Sequence, residues 1–184
     1  DASRFASIDS NFQTNMKSLY RDLDTSFESF PKQGKSNEAY KDAIDSLKQG
    51  SIVFVFTPDD THYEITKYAL EKKMHVQVAK PLVKTFKEHK SLQELAAKNN
   101  LLCMLEVHKR YDPIYADARD KIQSFGSFSF YNSYMSQPLH QLDTFSAWAG
   151  ISSDISYYLN SHHIDFLLWA VGASSKPISV YASA

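Results

Sequence analysis

A pair of histidines followed by a carboxylate is the pattern in this sequence most suited to acid–base chemistry. His162 and His163 precede Asp165 within an apolar stretch, residues 155–171, that is followed by Gly172. Residues three positions apart share a helix face, so Asp165 could orient or charge-stabilise His162. A buried structural histidine pair would give the same pattern. Histidine is also a metal ligand, but no second cluster with ligand spacing accompanies the pair, and the sequence predicts no metal site.

Polar groups also follow three apolar runs that have the composition of buried strands. Ligands bind beyond the carboxyl ends of strands in open α/β sheets, so we expect these groups to share one rim. A lysine there, such as Lys80, can donate a proton or bind a substrate hydroxyl or a cofactor amide. Taken singly, the segments also fit an ordinary βα loop, a solvated lysine and a basic loop. The three polar segments that follow the apolar runs are Thr57-Pro58-Asp59-Asp60-Thr61-His62, Lys80-Pro81 and His108-Lys109-Arg110-Tyr111-Asp112.

The elements that must position these groups alternate regularly. Hydrophobic periodicity predicts a helix over 38–49 that ends at Gly50, and a continuous apolar run at 52–56 predicts a strand buried on both faces. Further strands are predicted at 75–78 and 101–107. The alternation with helices predicts an α/β fold with a doubly wound parallel sheet. The helices that follow the strands carry start signals. Capping-box spacing occurs at Thr61 with Glu64 and at Thr85 with Glu88. Asp112-Pro113 supplies an N-cap and a first-turn proline for the last of these helices, which is predicted to run to about Ser124.

Outside this region the patterns are less regular. Residues 9–23 predict an amphipathic helix with one buried stripe, and residues 178–181 predict a strand. A further predicted strand has Phe128, Phe130, Asn132 and Tyr134 on one face, and a polar loop (136–153) and an apolar helix (155–171) follow it. We therefore expect two domains, 1–125 and 126–184, the second being the incomplete start of an α+β domain. The predicted stripe of the first helix consists of Phe12, Met16, Leu19 and Leu23.

Composition excludes several classes of function. The formal net charge of −1 offers no field that would attract nucleic acid, and no apolar stretch reaches the roughly 20 residues that a membrane span needs. The single cysteine, Cys103, lies in an apolar run and is expected to be buried rather than reactive. One unpaired cysteine and no secretory signal at the N-terminus fit a cytoplasmic protein. Only five glycines occur, and no glycine-rich phosphate-binding motif is present.

Four ordered segments together resemble the glucose-fructose oxidoreductase / inositol 2-dehydrogenase family, often called Gfo/Idh/MocA. Thr57-Pro58-Asp59-Asp60-x-His62 is similar to the family's T-P-N-x-x-H segment, and Ala79-Lys80-Pro81-Leu82 to its E-K-P-L motif. The segment from His108 to Pro113 is similar to its N-x-R-F-x-P segment. His162-x-x-Asp165-x-x-x-Trp169-x-x-Gly172 is similar to the helix that contributes the family's active-site histidine.

The resemblance implies a partial Rossmann-type fold that binds NAD or NADP and transfers a hydride between nicotinamide and a sugar or polyol-like substrate. It implies that Lys80 and His162, with Asp165, are catalytic, and that Arg110, Tyr158 and His163 contact substrate. It also implies a homo-oligomer that packs through the sheet of the second domain. The residues expected to bind cofactor are Thr57, Pro58, Asp59, His62, Lys80, Pro81 and His108.

The sequence departs from the family pattern at two site positions. Ala79 stands where the family has glutamate, and Tyr158 stands where it often has aspartate. The glycine-rich first βα unit is not found either, so we expect the chain to be part of a longer protein. Two alternatives stay open: a non-catalytic sensor of sugars or nucleotides that acts through protein partners, and an unrelated flavodoxin-like domain.

Overall fold

The computed structural model describes residues 17–21, 28–126 and 128–183, with the side chain of Ser174 excepted. Of the helix predicted over 9–23, residues 17–19 are helical and Leu19 is exposed. The rest of that predicted stripe, Phe12, Met16 and Leu23, lies outside the described residues. No helix in the described ranges is both long enough and apolar enough to cross a membrane.

A parallel three-stranded sheet forms the centre of the fold. Its strands, β1 (Ile52–Val55), β2 (His75–Val78) and β3 (Cys103–Leu105), lie side by side in chain order. Val76 of β2 is in register with Val53 of β1 and with Cys103 of β3. Because parallel neighbours need a crossover between them, the helices that the sequence predicts fall between the strands. The prediction of a parallel α/β sheet is confirmed.

Four helices accompany the sheet: α1 (Ala39–Asp45), α2 (His62–Glu71), α3 (Phe86–Asn99) and α4 (Pro113–Phe125). The predicted capping box at Thr85 and Glu88 is present at the start of α3. Asp112 caps α4 through the backbone N–H of Ile114, as expected. Helix α1 ends before Gly50, whose φ of +83° is one that glycine adopts without strain.

The capping box predicted at Thr61 is absent, so that prediction is wrong. A short 3₁₀ helix, Asp59–Thr61, leads directly into α2, and Thr61 itself has helical dihedral angles. A capping residue needs extended backbone to present its side chain to the first turn. The Thr61 hydroxyl donates instead to the carbonyl of Pro58 at 2.7 Å.

The hydrophobic core lies on one face of the sheet. Side chains of β1 and β2 pack there against α2 and α3, with Leu70 and Leu92 fully buried. The other face of β1 is open, with Ile52 and Phe54 each 59% exposed, so the prediction of a strand buried on both faces is wrong. An apolar run shows that a strand can be covered on both faces, but the covering elements decide whether it is. The core consists of Ile44, Val55, Ala69, Leu70, Met74, Val76, Val78, Leu92 and Ala96.

Residues 128–183 contain helices and no strand. The strands predicted at 128–134 and 178–181 are not formed, and a two-stranded pairing alone would be only marginally stable. The predicted polar loop contains a helix, α5 (Gln141–Ser146). The predicted helix at 155–171 is confirmed, as a π-helical turn (Ser156–Asn160) followed by α6 (Ser161–Val171). The homo-oligomer contact and the domain boundary at 125/126 stay predictions.

Helix α6 is held against α4 by aromatic contacts. The rings of Tyr115 and Phe166 meet edge to face with centroids 5.4 Å apart, and the guanidinium of Arg119 lies 4.4 Å from the ring of Trp169. Because only a short segment with a 3₁₀ helix, His108–Tyr111, separates β3 from α4, this packing carries α6 towards the carboxyl ends of the strands. The sheet and α6 together position the candidate site.

Candidate active site

The carboxyl ends of the three strands and the start of α6 bring the predicted site residues together. Thr57, Lys80 and His108 follow β1, β2 and β3, respectively. The imidazole of His162 lies against that of His108, with ring centroids 4.8 Å apart. The expectation that three strand ends share a rim with a histidine from a neighbouring helix is confirmed.

Lys80 is half-buried at this rim and is held from the π-helical turn. Its ammonium donates a hydrogen bond to the carbonyl of Tyr158 and lies 4.1 Å from the centroid of the same residue's ring. Burial lowers the pKa of Lys80 below its usual value, and the carboxylates of Asp59 and Glu106 oppose that shift. An ammonium with a lowered pKa releases its proton more easily than a surface lysine does. Lys80 is therefore suited to proton donation.

His162 is almost wholly buried, with 8% of its surface exposed, and its Nδ1 atom has no hydrogen-bond partner among the described residues. Burial, together with the neighbouring positive charges of Lys80 and Lys109, lowers the pKa of His162 to about 4. The imidazole is therefore neutral near pH 7, with a lone pair available to accept a proton.

Asp165 does not orient His162, so that part of the prediction is wrong. Both of its carboxylate oxygens accept hydrogen bonds from Arg110, one from Nε at 2.9 Å and one from Nη2 at 2.7 Å. The planar guanidinium matches a carboxylate in this two-point geometry, and the hydrogen-bonded Asp165 carboxylate raises the pKa of Arg110. The pairing also engages Arg110, which was predicted to contact substrate.

His62 was predicted to bind cofactor directly, and the structure contradicts this. The side chain is fully buried, and its ring nitrogens lie 2.7 Å from the Pro81 carbonyl oxygen and 2.9 Å from that of Thr57. A side chain so enclosed cannot touch a ligand at the rim. Thr57, Pro58 and His108, in contrast, are exposed there.

The remaining predicted residues lie around Lys80 and His162. Asp59 accepts a hydrogen bond from the hydroxyl of Ser153, which ties the loop after β1 to the segment before the π-helical turn. Tyr158 is 41% exposed. The Nε2 atom of His163 is buried, and no residue in the described ranges hydrogen-bonds to it.

Sequence reasoning missed an aromatic cavity beside Tyr158. The rings of Phe145 and Trp148 lie 5.5 and 5.3 Å from the ring of Tyr158, centroid to centroid. The cavity has a volume of about 280 Å³. The only signal in the sequence was an aromatic pair within a segment interpreted as a polar loop. The lining residues are Pro58, Asp59, Thr144, Phe145, Trp148, Ser152, Ser153 and Tyr158.

Comparison with known proteins identifies the family. Residues 6–107, more than half of the chain, match GFO_IDH_MocA, an oxidoreductase family with an NAD-binding Rossmann fold. One curated relative, the scyllo-inositol 2-dehydrogenase (NAD(+)) of Bacillus subtilis (strain 168), is 27% identical over 69% of this chain and 37% of its own length. Another, the scyllo-inositol 2-dehydrogenase (NADP(+)) IolW of the same organism, is 29% identical over 66% of this chain and 35% of its own length. The chain thus spans little more than a third of these relatives.

Solved structures share the fold. The myo-inositol 2-dehydrogenase from Lactobacillus plantarum matches with a TM-score of 0.65 and 22% identity, over 85% of this chain and 44% of that one. The scyllo-inositol dehydrogenase from Lactobacillus casei, with bound NAD(H) and scyllo-inositol, matches with a TM-score of 0.63 and 22% identity, over 71% and 40%. From its parallel βα units and the match over residues 6–107, the chain belongs to the GFO_IDH_MocA oxidoreductase family and carries part of the NAD-binding Rossmann fold.

Proposed function

We propose that the protein that carries this chain is an NAD(P)-dependent dehydrogenase that oxidises a hydroxyl group on a ring-shaped sugar or polyol. The observation that carries this proposal is the meeting of Lys80, His108 and His162 at the carboxyl ends of the strands. The NAD-binding family and the inositol 2-dehydrogenase relatives support it.

His162 and Lys80 manage the hydroxyl proton in this proposal. The neutral imidazole of His162 accepts the proton, because its low pKa keeps the ring unprotonated at neutral pH. The ammonium of Lys80 binds the substrate oxygen; one of its protons is used by the Tyr158 carbonyl, which leaves two for the substrate. In the reverse direction the His162 imidazolium returns that proton to the oxygen, while the ammonium of Lys80 stabilises the negative charge on it. Asp165 acts indirectly, by fixing Arg110 and with it the start of α6 against the strand end.

The surface next to Lys80 fits a nucleotide that lies across the strand ends. Thr57, Pro58 and His108 are exposed there, and Asp59 and Pro81 complete the rim. When bound, a nicotinamide nucleotide supplies the hydride acceptor for the carbinol carbon. These five residues would hold it beside Lys80.

The aromatic cavity fits a ring-shaped substrate. Some of its polar lining groups already form hydrogen bonds within the protein. Asp59 accepts a hydrogen bond from Ser153, and the Ser152 carbonyl accepts one from Lys84 at 3.0 Å. The aromatic part of the lining is a wall made of Phe145, Trp148 and Tyr158. The negative face of an aromatic ring attracts the positive C–H groups on the face of a saturated ring. Cyclic polyols and pyranoses present such a face next to the hydroxyl that is oxidised.

The test is to purify the complete protein and follow absorbance at the reduced-nicotinamide band. NAD and NADP would each be offered with inositols, pyranoses and open-chain polyols as controls. We expect reduction of one cofactor with a cyclic substrate and little with the open-chain polyols. Tight cofactor binding without hydride transfer from any member of the panel would contradict the proposal.

A further inference from the structure

His62 joins the two loops that carry the predicted cofactor-binding residues. It lies at the start of α2, and no part of its surface is exposed. Its Nδ1 atom lies 2.7 Å from the carbonyl oxygen of Pro81, which follows β2. Its Nε2 atom lies 2.9 Å from the carbonyl oxygen of Thr57, which follows β1.

Both partners of His62 are carbonyl oxygens, and a carbonyl oxygen only accepts hydrogen bonds. A neutral imidazole has one N–H group, so it could satisfy only one of the two contacts. The other nitrogen would then face a carbonyl oxygen with a lone pair against a lone pair, inside the protein where water cannot intervene. The imidazolium, with two N–H groups, satisfies both.

Burying a positive charge is costly unless hydrogen bonds compensate for it. The geometry provides this compensation as two charge-assisted hydrogen bonds of normal length. Such hydrogen bonds are stronger than those between two neutral groups. The hydroxyl oxygens of Thr57 and Thr61 also lie 2.7 Å apart, and Thr57 can donate to Thr61, whose own proton is used by the Pro58 carbonyl, so the first loop is held at two points.

We propose that His62 is an imidazolium that donates from both ring nitrogens, clamps the loop after β1 to the loop after β2, and so positions Lys80. The Pro81 carbonyl belongs to the residue next to Lys80, so a fixed Pro81 fixes the backbone from which the lysine extends. His62 is thus a positioning residue and does not touch substrate. The consequence for Lys80 rests on the proposed dehydrogenase function; the protonation state of His62 does not.

The state of the ring can be read from ¹H–¹⁵N spectra of the histidine imidazoles at neutral pH, without any activity measurement. We expect both nitrogens of His62 to carry a proton. His75 is a control within the same spectrum, because its Nδ1 atom accepts from the backbone N–H of Leu102 at 2.9 Å and must be unprotonated. A His62 signal with one protonated nitrogen, like that of His75, would overturn the proposal.

The positioning role has a separate test in the complete protein. The variant His62→Gln offers a donor on one side only, so we expect cofactor affinity and kcat each to fall about tenfold while the KM for polyol changes little. His75→Gln, a matched change at a histidine in β2, should leave all three constants near wild type. Unchanged kcat and cofactor affinity in a folded His62→Gln variant would remove the positioning role. If that variant does not fold, the spectrum of the wild-type protein still decides whether His62 is a double donor.

Discussion

Arg110 and Asp165 form a two-point ion pair that joins the end of the third strand to helix α6, with N–O distances of 2.9 and 2.7 Å. The pair takes the carboxylate away from His162, although the two residues share a helix face. His162 is left neutral, and its Nδ1 atom has no partner in the part of the chain that the structure describes, which is the state that a proton acceptor needs. The carboxylate therefore holds helix α6 against the end of the third strand and does not act on the His162 ring itself.

A double-mutant cycle on Arg110→Gln and Asp165→Asn should show a coupling free energy of about 1 kcal/mol in urea unfolding. The value is modest because the Arg110 side chain is 44% exposed and solvent screens part of the attraction. The matched control is Arg119 with Asp120, a pair of neighbours in sequence that joins no separate elements. We expect no measurable coupling there. Equal coupling in the two cycles would show that the Arg110 pair does not hold α6 in place.

Replacing Lys80 by alanine should lower kcat by a factor on the order of 100 to 10 000, the usual contribution of a positioned acid or base. The far-ultraviolet circular dichroism spectrum should be unchanged, because the side chain is only half-buried at the rim. Lys87→Ala is the control, since that lysine is exposed on α3. A Lys80→Ala variant with wild-type turnover would remove the residue from the mechanism.

The pH dependence of kcat/KM should report the unusual state of His162. Below a pKa of about 4 the ring is protonated and cannot accept a proton, so activity should rise as the pH increases through about 4. An ordinary histidine would place this limb near 6.5. The stability of the fold should change in the same direction. Between pH 6.5 and 4 the unfolded chain binds the proton and the folded chain does not, so the free energy of unfolding decreases as the pH falls.

The variant His162→Gln is the control for that profile. It should lose most of the activity together with the acid limb, because glutamine does not titrate. An acid limb centred near 6.5 in the wild-type protein would show that His162 is not the proton acceptor.

The order of strands and helices could be predicted because each signal was local. Continuous apolar runs, turn residues and the Thr85–Glu88 spacing act within a few residues of one another, and the structure confirms them. The rim at the strand ends followed from topology, since parallel strands finish at one edge of a sheet. This is why the sequence alone predicts that Lys80 and His108 lie near each other.

The errors came from partners that sequence spacing does not reveal. Asp165 pairs with an arginine 55 positions away, which competes successfully with the histidine three positions away. The open face of β1 depends on which elements cover the sheet. Thr61 has the right spacing for a capping box, but its backbone is already helical. Each outcome depends on tertiary geometry and not on local pattern.

The capping box of α3 gives a local test of stability. Thr85 accepts from the backbone N–H of Glu88 at 3.2 Å, and the Glu88 carboxylate accepts from the backbone N–H of Thr85 at 3.2 Å. Thr85→Ala should lower the free energy of unfolding by about 1 kcal/mol, measured in urea. Thr85→Ser keeps the hydroxyl and should stay within a few tenths of that of the wild type. Equal losses in both variants would mean that the methyl group, and not the cap, stabilises the helix.

The aromatic cavity predicts a separation between binding and chemistry. Trp148→Leu removes an aromatic wall that touches the substrate ring in the proposed function, but it leaves Lys80 and His162 in place. We expect KM for a cyclic polyol to rise roughly fivefold to tenfold, as the loss of about 1 kcal/mol of ring contact requires, with kcat nearly unchanged. Trp169→Leu is the matched control, because that indole packs against the guanidinium groups of Arg110 and Arg119, at 5.7 and 4.4 Å, and does not line the cavity. If both variants raise KM equally, the change reflects a general loosening of the fold, and the cavity is not where the substrate ring binds.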